Sequence, residues 1–358
     1  MAVTDLACWA SRDGARILEH RGRGPSDDVL LGRYTSSRPR PLLHALLKIL
    51  RASPAPPQIR RATKPDVLNS RFLYFYLIAP AQQKQLLQLS EGSTVAHLNV
   101  ADIRNFEMPT LPPIEEQRSI AATLGALDDK IDSNRCAIGL MEQHVLSRFQ
   151  QLFDVQQDPA GFPISDLVHL NRRHKVAKGS IATYVGMSSL PTFFPVVDDW
   201  ESKAVGSGQK FVNGDVLMAR ITPCLENGKT AVVDMLDDGE VGWGSTEYVV
   251  LSPRDEISTP WIYCLLRSED VRGWAIRRMT GSSGRQRFSP DGFSQYRVPK
   301  PCPEALDEFN EEAIPMFLRM SQLRDESKKL EALRDSLLPE LLSGRIRVPE
   351  AAAVLVSR

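Results

Sequence analysis

One amphipathic pattern, from Pro112 to Phe153, constrains the fold of this chain more than any other stretch. Its apolar residues recur in steps of three and four without a Gly or Pro cluster, which predicts a helix that packs along one seam. About forty residues at 1.5 Å each make a rod of about 60 Å. An ordinary core helix is the alternative, although globular helices average only about 12 residues. The predicted seam consists of Ile120, Leu124, Leu127, Ile131, Ile138, Met141, Val145 and Leu152.

A polar residue interrupts this seam. Asn134 lies between Ile131 and Ile138, where the repeat would otherwise place an apolar side chain. Polar residues at such positions fix the register of a helix pair at some cost in stability. We therefore expect Asn134 to hold the register between this helix and its partner.

The pattern that begins near Ser70 recurs later in the chain. The aromatic and aliphatic run Phe72–Leu77 is matched 189 residues later by Trp261–Leu266, and Phe106–Pro109 is matched 190 residues later by Tyr296–Pro299. Each pair is followed by a proline-bounded turn and then by a long helical pattern. Self-similarity at a fixed period indicates an internal duplication.

The second long helical pattern runs from Glu304 to Leu342. Pro315 lies inside it and predicts a kink or a restart, and Gly344 is placed to close it. Two long helices with similar seams bury them most simply on each other, as an antiparallel or pseudo-symmetric pair. The predicted seam of the second helix consists of Phe309, Ala313, Met316, Met320, Leu323, Leu330 and Leu337.

The composition is that of a protein with two or three domains. Of 358 residues, 42% are hydrophobic and 25% charged, and 44 Lys and Arg balance 44 Asp and Glu. The chain as a whole lacks the basic excess of a typical DNA-binding domain, so any nucleic-acid surface must be local. It shows neither an apolar run of about 18 residues nor the form of a signal peptide, and we expect a cytoplasmic protein without membrane contact. No disulfide or zinc spacing connects the scattered cysteines, which are Cys8, Cys136, Cys224, Cys264 and Cys302.

The first residues of the chain differ in character from the rest. Met1–Arg61 contains ten Arg against one Lys and six prolines, and it shows little sustained periodicity. One interpretation is a disordered basic extension that contacts nucleic acid without sequence preference. The other is a remnant that does not belong to the domain it precedes. We assign residues 1–69 to this irregular segment.

A mixed pattern lies between the two long helices, from Gly161 to Pro303, and is long enough for one complete globular domain. Ile181–Met187 and Tyr248–Ser252 have strand character. Turns at residues 213–215 and 227–228 lead into predicted strands at Val216–Ile221 and Lys229–Val233. Helical turns are predicted over 259–279. The domain is therefore predicted to be α+β.

The charges of this domain nearly balance but are unevenly placed, with five arginines and no acid between Val271 and Pro290. Such clusters suit phosphate contacts, and a Gly- and Ser-rich loop from Gly281 places Arg and Gln where they can read base edges. A solvated charged face is the alternative. The predicted DNA-binding residues are Arg172, Arg173, Lys175, Lys178, Arg220, Asn227, Lys229, Arg277, Arg278, Arg285, Gln286 and Arg287.

Several of these runs, taken in order, resemble the specificity (S) subunits of type I restriction-modification systems. The resemblance covers Ser70 to about Arg347. The runs that carry it are Leu111–Gln117, Gly214–Leu217, Arg220–Lys229, Gly244–Glu247 and Gly281–Gln286.

The resemblance implies an α+β protein whose globular DNA target-recognition domains are joined by two long helices packed as an antiparallel coiled-coil-like spacer. Each recognition domain would read one half of a bipartite site in double-stranded DNA. Two methyltransferase (M) subunits would dock on the spacer, and restriction (R) subunits would join them. S-adenosylmethionine, ATP and Mg are expected in those partner subunits, with no cofactor in this chain.

No catalytic motif accompanies this resemblance in the sequence. Gly228-Lys-Thr230 lacks the earlier glycine of a phosphate-binding loop, because Pro223 stands in its place. The chain has no Asn-Pro-Pro-aromatic tetrapeptide of an amino-methyltransferase and no acid-x-Lys run of a nuclease core after Pro65-Asp66. We therefore expect a non-catalytic subunit that holds no metal. A helical interaction scaffold without specific DNA binding is the alternative function.

The chain departs from the family pattern at its amino-terminal side. The second recognition domain takes residues 161–303, whereas only about 40 family-like residues precede Pro109. We therefore expect residues 70–111 to be the carboxyl-terminal part of a truncated first domain. Helices at 112–153 and 304–343 and a tail at 344–358 complete the predicted organisation. On this basis the chain reads at most one half-site, and self-association is one way to complete the site.

Overall fold

The computed structural model describes residues 66–89, 111–282 and 284–348. Within these ranges the helices are α1 (Ser70–Ile78), α2 (Pro80–Leu89), α3 (Ile114–Leu152), α4 (Ile164–Leu167), α5 (Thr259–Arg267), α6 (Glu269–Arg277) and α7 (Pro303–Leu342). The strands are β1 (Phe162–Pro163), β2 (His169–Leu170), β3 (Ile181–Val185), β4 (Glu201–Ala204), β5 (Lys210–Phe211), β6 (Val216–Ala219), β7 (Thr230–Val232), β8 (Gly242–Gly244), β9 (Tyr248–Ser252) and β10 (Arg297–Val298).

The two long helices, α3 and α7, pack on each other in opposite directions. Arg334 donates from Nη1 to Asp128 Oδ1 at 2.7 Å, near the start of α3 and the end of α7. His144 Nε2 lies 3.2 Å from Glu312 Oε2, at the other end of the pair. Residues early in α3 thus contact residues late in α7, and residues late in α3 contact residues early in α7. The predicted antiparallel pair of helices is confirmed.

The predicted seams form most of the contact between these helices. Eleven of the residues predicted for them are buried in the structure: Ile120, Leu124, Leu127, Ile131, Ile138, Val145, Phe309, Ala313, Met320, Leu323 and Leu337. Met141, Met316 and Leu330 are half-buried against the same cores. Leu152 is only half-buried, whereas Phe149 is buried. The step of four from Val145 reaches Phe149, so the aromatic ring takes the place in the core that the prediction gave to Leu152.

Asn134 lies in the middle of the helix pair, as its place in the seam predicted. Its side chain is buried, and Nδ2 donates to Glu326 Oε2 at 2.9 Å and to Ser327 Oγ at 3.2 Å. The carbonyl oxygen of Leu323 is 3.4 Å from the same nitrogen. A slip of one turn would separate Asn134 from all three groups and leave a buried amide unpaired. The residue therefore favours one register.

Pro315 does not restart the second helix. The structure has one continuous helix from Pro303 to Leu342, with Pro315 and Pro339 inside it. Of the two predicted alternatives, the restart is therefore wrong, because the packed seam on both sides of Pro315 stabilises helical backbone despite the missing N–H, whereas the kink stays a prediction. Gly344 closes the helix as predicted, with φ +71 and its N–H donating to Leu341 O.

The internal duplication is visible in the order of the helices. The first residues of α5, α6 and α7 lie 189 residues after those of α1, α2 and α3, and the N-cap residues Asn69 and Ser258 have the same separation. Asn134 and Leu323 are also 189 residues apart, and they contact each other across the helix pair. The two repeats are therefore related about a point close to these two residues. The predicted equivalent of β10, Phe106–Pro109, lies outside the described residues, as do residues 1–65.

Each end of the helix pair holds its own hydrophobic core. At one end, α1 packs Phe72, Phe75 and Tyr76 against the start of α3 and the end of α7. At the other end, α5 inserts Trp261 and Tyr263 between the end of α3 and the start of α7. The equivalent helices of the two repeats thus occupy equivalent places.

The domain between the long helices contains two four-stranded sheets. One has the order β2-β9-β6-β7 with antiparallel neighbours, and the other has the order β4-β3-β8-β5. The predicted strands correspond to β3, β6, β7 and β9, and the helical prediction for 259–279 corresponds to α5 and α6. The parallel pairing of β3 with β8 was not predicted. The predicted α+β class is confirmed.

A buried ion pair joins this domain to α7. Arg324 is 3% exposed, and its guanidinium contacts the carboxylate of Asp234, to which Ser321 also donates. Arg324 Nη1 also donates to Val197 O at 3.2 Å. Burial alone would lower the pKa of Arg324, but the charge of Asp234 and the hydrogen bonds of Asp325 and Asp234 raise it. The pair thus fixes where the domain sits on the helix.

A second buried cluster joins the domain to α3. Glu142 accepts hydrogen bonds from Tyr263 Oη and, at 3.2 Å, from Arg267 Nε. Arg267 Nη2 lies 3.1 Å from the same carboxylate oxygen, and both charged side chains are less than 10% exposed. The domain is therefore anchored to both long helices by charged side chains that are largely buried.

No helix within the described ranges is both long enough and apolar enough to cross a membrane.

Candidate nucleic-acid interface

Two loops that carry predicted DNA-binding residues meet beyond the carboxyl end of β6. Ile221 and Thr280 both form β-bridges with Arg287. The N–H of Thr222 donates to Gln286 O at 3.0 Å, and that of Phe288 donates to Arg220 O at 2.8 Å. The loop after β6 and the Gly-rich loop from Gly281 thus form one surface, which we call the β6-end surface and define as residues 220–229, 280–282 and 284–288.

Arg220 and Arg287 share one carboxylate on this surface. Arg287 Nε lies 2.9 and 3.0 Å from the two carboxylate oxygens of Glu247, and Arg220 Nε lies 3.3 Å from Oε2. Glu247 cancels one of the two positive charges and fixes both guanidinium groups. Arg285 is exposed, and no ion pair of the described residues involves it. Arg285 and Gln286 are therefore the residues of this loop that are best placed to reach a ligand.

The residues at the end of the first loop have two different orientations. Asn227 is exposed in the turn before β7, and Gly228 has φ +62. Lys229 instead points inward, and Nζ donates to Met187 O at 2.7 Å. Burial lowers the pKa of the Lys229 amine, although Cys224 and Asp198 partly oppose that shift. Lys229 therefore closes the loop onto the second sheet rather than offering its charge to solvent.

Arg277 and Arg278 are exposed at the end of α6. The guanidinium of Arg278 lies 4.7 Å from the ring centroid of Trp274, and Nη1 donates to Gln295 Oε1 at 3.0 Å. These contacts hold the side chain of Arg278 on the surface. Only Met279 and Thr280 lie between Arg278 and Gly281, so both arginines are close along the chain to the β6-end surface.

The basic cluster of Arg172, Arg173, Lys175 and Lys178 lies elsewhere. All four side chains are exposed in the loop between β2 and β3. The neighbouring His174 places Nε2 4.0 Å from Asp215 Oδ2, at the start of β6, whereas Arg220 follows the end of that strand. The structure therefore does not bring this cluster together with the β6-end surface.

Three further residues complete the surroundings of the β6-end surface and were absent from the predicted site. Phe193 packs its ring on Gly228, Arg272 donates from Nη1 to Glu226 O at 3.2 Å, and Glu226 lies within the loop itself. The run of five arginines includes Arg272, but charge alone did not distinguish it. No sequence pattern marked Phe193, since its exposure and its φ of +48 become visible only in the structure.

No group of three or more His, Cys, Asp or Glu side chains among the described residues is arranged to hold a metal ion.

Part of this chain is similar to known proteins. Residues 58–138 match the family model described as the type I restriction modification DNA specificity domain. The chain is 29% identical over 162 residues to the Escherichia coli type I restriction enzyme EcoEI specificity subunit. It is 31% identical over 149 residues to the EcoAI specificity subunit of the same organism. These alignments cover 44% and 40% of this chain but only 27% and 24% of the two relatives, so the chain spans about a quarter of their length.

A longer alignment covers both repeats. The chain is 23% identical over 316 residues to the MjaIX specificity subunit of Methanocaldococcus jannaschii, covering 80% of this chain and 71% of that protein. Among solved structures, it is similar to the type I restriction-modification S subunit from M. genitalium, with a TM-score of 0.46, 17% identity and coverage of 78% and 74% of the two chains. The chain is thus similar to specificity subunits of type I restriction enzymes, and its residues 58–138 match the type I restriction modification DNA specificity domain.

Proposed function

We propose that this chain is the DNA sequence-recognition subunit of a type I restriction-modification complex. The domain of residues 161–303 contacts one half-site of double-stranded DNA through the β6-end surface. The observation that carries the proposal is the position of Arg285 and Gln286, which lie on a loop fixed by the bridge of Arg287 to Ile221. Arg and Gln side chains are suited to guanine and adenine in the major groove.

The distribution of charge over the domain supports separate roles for its basic residues. Arg277 and Arg278 are exposed beside the β6-end surface and are placed to contact phosphates, which supply affinity but carry no sequence information. Arg220 and Arg287 hold the loops together through Glu247. The similarity to type I specificity subunits favours DNA recognition over a scaffold without DNA binding.

The helix pair is proposed as the spacer and as the docking surface for partners. In this arrangement the length of α3 and α7 sets the distance between half-sites. Methyltransferase subunits dock on the helices and restriction subunits join the assembly. The catalytic chemistry, with S-adenosylmethionine, ATP and Mg, belongs to those partners, and this chain supplies recognition only.

The order of the helices in the two repeats indicates which part of a first recognition domain this chain contains. Helices α1 and α2 stand before α3 as α5 and α6 stand before α7, where α5 and α6 belong to the recognition domain of residues 161–303. Residues 70–111 are accordingly proposed to correspond to the carboxyl-terminal part of a recognition domain.

Replacing Arg285 with Ala should weaken specific DNA binding about 10- to 100-fold, because a good bidentate contact between Arg and guanine contributes about 1–3 kcal/mol of discrimination. The measurement is the Kd for DNA binding by the complex of this chain with its methyltransferase subunit. The DNA carries the sequence that this complex methylates, and the Kd is measured at several salt concentrations. For the unsubstituted complex, log Kd should rise linearly with log salt.

Arg254→Ala is the matched control for this variant. Arg254 is an equally charged, exposed residue of the same domain, but it follows the end of β9 that lies away from Arg220. We expect its affinity to stay within about twofold of the parent, as is usual for surface substitutions without a specific contact. Equal effects of the two substitutions, together with salt-independent binding, would favour the scaffold.

A further inference from the structure

Phe193 combines two features that rarely occur together. Its side chain is 46% exposed, and its backbone has φ +48. A bulky residue other than glycine in this region is strained, and such residues persist where the surrounding structure enforces them, often at binding sites. A half-exposed ring recovers little of this cost through burial. Burial of the ring alone therefore does not account for this conformation of Phe193.

The neighbours of Phe193 hold its ring in place. The guanidinium groups of Arg267 and Arg272 lie 4.7 and 5.4 Å from the ring centroid. A Cβ on Gly228 would lie 2.3 Å from the ring, so only glycine fits beside it, and the N–H of Phe193 donates to Gly228 O at 3.4 Å. Arg267 is itself fixed by Glu142. The ring is thus positioned by groups that are anchored to the spacer helix.

Unpaired polar atoms gather around the same loop. Among the described residues, the buried side-chain atoms without a hydrogen-bond partner include Glu226 Oε2 and Arg272 Nε. Both belong to residues on or beside the β6-end surface, and Arg272 contacts the ring of Phe193. Buried polar atoms without partners are costly in a folded protein, and they mark places where a ligand or ordered water completes the bonding.

We propose that Phe193 contacts the bases of the DNA and reads the methyl group of a thymine in the major groove. This inference rests on the proposed function of the domain and names a further residue that determines its specificity. An apolar side chain is the complement of the thymine 5-methyl group. Arg267 and Arg272 hold the ring at the DNA, and Arg272 brings positive charge next to the contact.

The test uses the complex of this chain with its methyltransferase subunit and the DNA site found by sequencing methylated DNA. The probes are a duplex with thymine and one with uracil, which lacks only the methyl group. The unsubstituted complex should bind the uracil duplex about 5- to 10-fold more weakly at one thymine position, as expected for a lost buried methyl. A Phe193→Gly complex should bind both duplexes equally.

The Phe193→Gly variant also distinguishes a role of Phe193 in contacting DNA from a role in packing. Because glycine adopts positive φ without strain, the melting temperature of Phe193→Gly should equal or exceed that of the parent. The matched control is Phe162→Ala in β1, where the replaced ring is also 46% exposed. This control should still discriminate thymine from uracil as the parent does.

Two different failures are distinguishable. Retention of the thymine preference by Phe193→Gly, a lower melting temperature with unchanged affinity, or a mapped half-site without a fixed A·T pair would overturn the role of Phe193 alone. Equal binding of the unsubstituted complex to its mapped site and to a scrambled duplex would overturn the proposed function and this inference with it.

Discussion

Arg324→Met is expected to destabilise the protein by about 3–5 kcal/mol, the usual cost of removing one member of a buried ion pair. The guanidinium is 3% exposed and contacts Asp234, Asp325 and the carbonyl oxygen of Val197. Its removal leaves the Asp234 carboxylate largely buried beside Ser321 with no positive charge. The measurement is the free energy of unfolding in urea.

Arg319→Met is the matched control, since it makes the same change on the same helix. Arg319 is exposed and donates from Nη1 to Gln322 Oε1 at 3.1 Å. We expect a change within about 0.5 kcal/mol. A double variant with Arg324→Met and Asp234→Leu should recover much of the lost stability, because an apolar pair can replace a buried ion pair. Equal stabilities of the two single variants would contradict this account of the contact with α7.

Glu142→Leu is expected to have an effect of similar size, about 3–5 kcal/mol, for the same reason. The carboxylate is the partner of Arg267, which is 9% exposed in its side chain, and of the buried Tyr263 hydroxyl. Leucine fills a similar space but leaves the guanidinium without a counter-charge inside the protein. Thermal or urea unfolding of the two proteins measures the difference.

The control and the rescue for Glu142 come from the same elements. Asp132→Leu removes an exposed carboxylate from α3 and should change stability by about 0.5 kcal/mol or less. Glu142→Leu combined with Arg267→Met should be more stable than Glu142→Leu alone, because no buried charge remains unpaired. If the double variant is less stable than the parent by the sum of the losses in the Glu142→Leu and Arg267→Met single variants, the two charges are not coupled across the interface.

The long helices were predictable because their evidence is local. The steps of three and four over residues 112–153 predict α3 within two residues at each end, and the 189-residue repeat predicts its partner. Asn134 was identifiable from the seam alone, since one polar residue in an apolar repeat has few other roles. Turns with Asn, Gly and Asp likewise led directly to β6 and β7.

The anchoring charges were not predictable, because their partners are distant in sequence. Arg324 stands in the run Arg-Asp-Glu, which is typical of a solvated helix face, and its partner Asp234 lies 90 residues away. Arg287 and Lys229 belong to clusters that suggest DNA contact. In the structure, however, Arg287 bonds to Glu247 and Lys229 to Met187 O. Composition locates positive charge, whereas tertiary contacts decide which charge is available to a ligand.

The most direct measurement of the central claim is the map of methylated sites in DNA from cells that carry this chain with its methyltransferase subunit. The account predicts methylation at one sequence motif, with the fixed bases of one half-site altered or relaxed by Arg285→Ala and unchanged by Arg254→Ala. Methylation without a motif, or a motif that is the same in the absence of this chain, would contradict it.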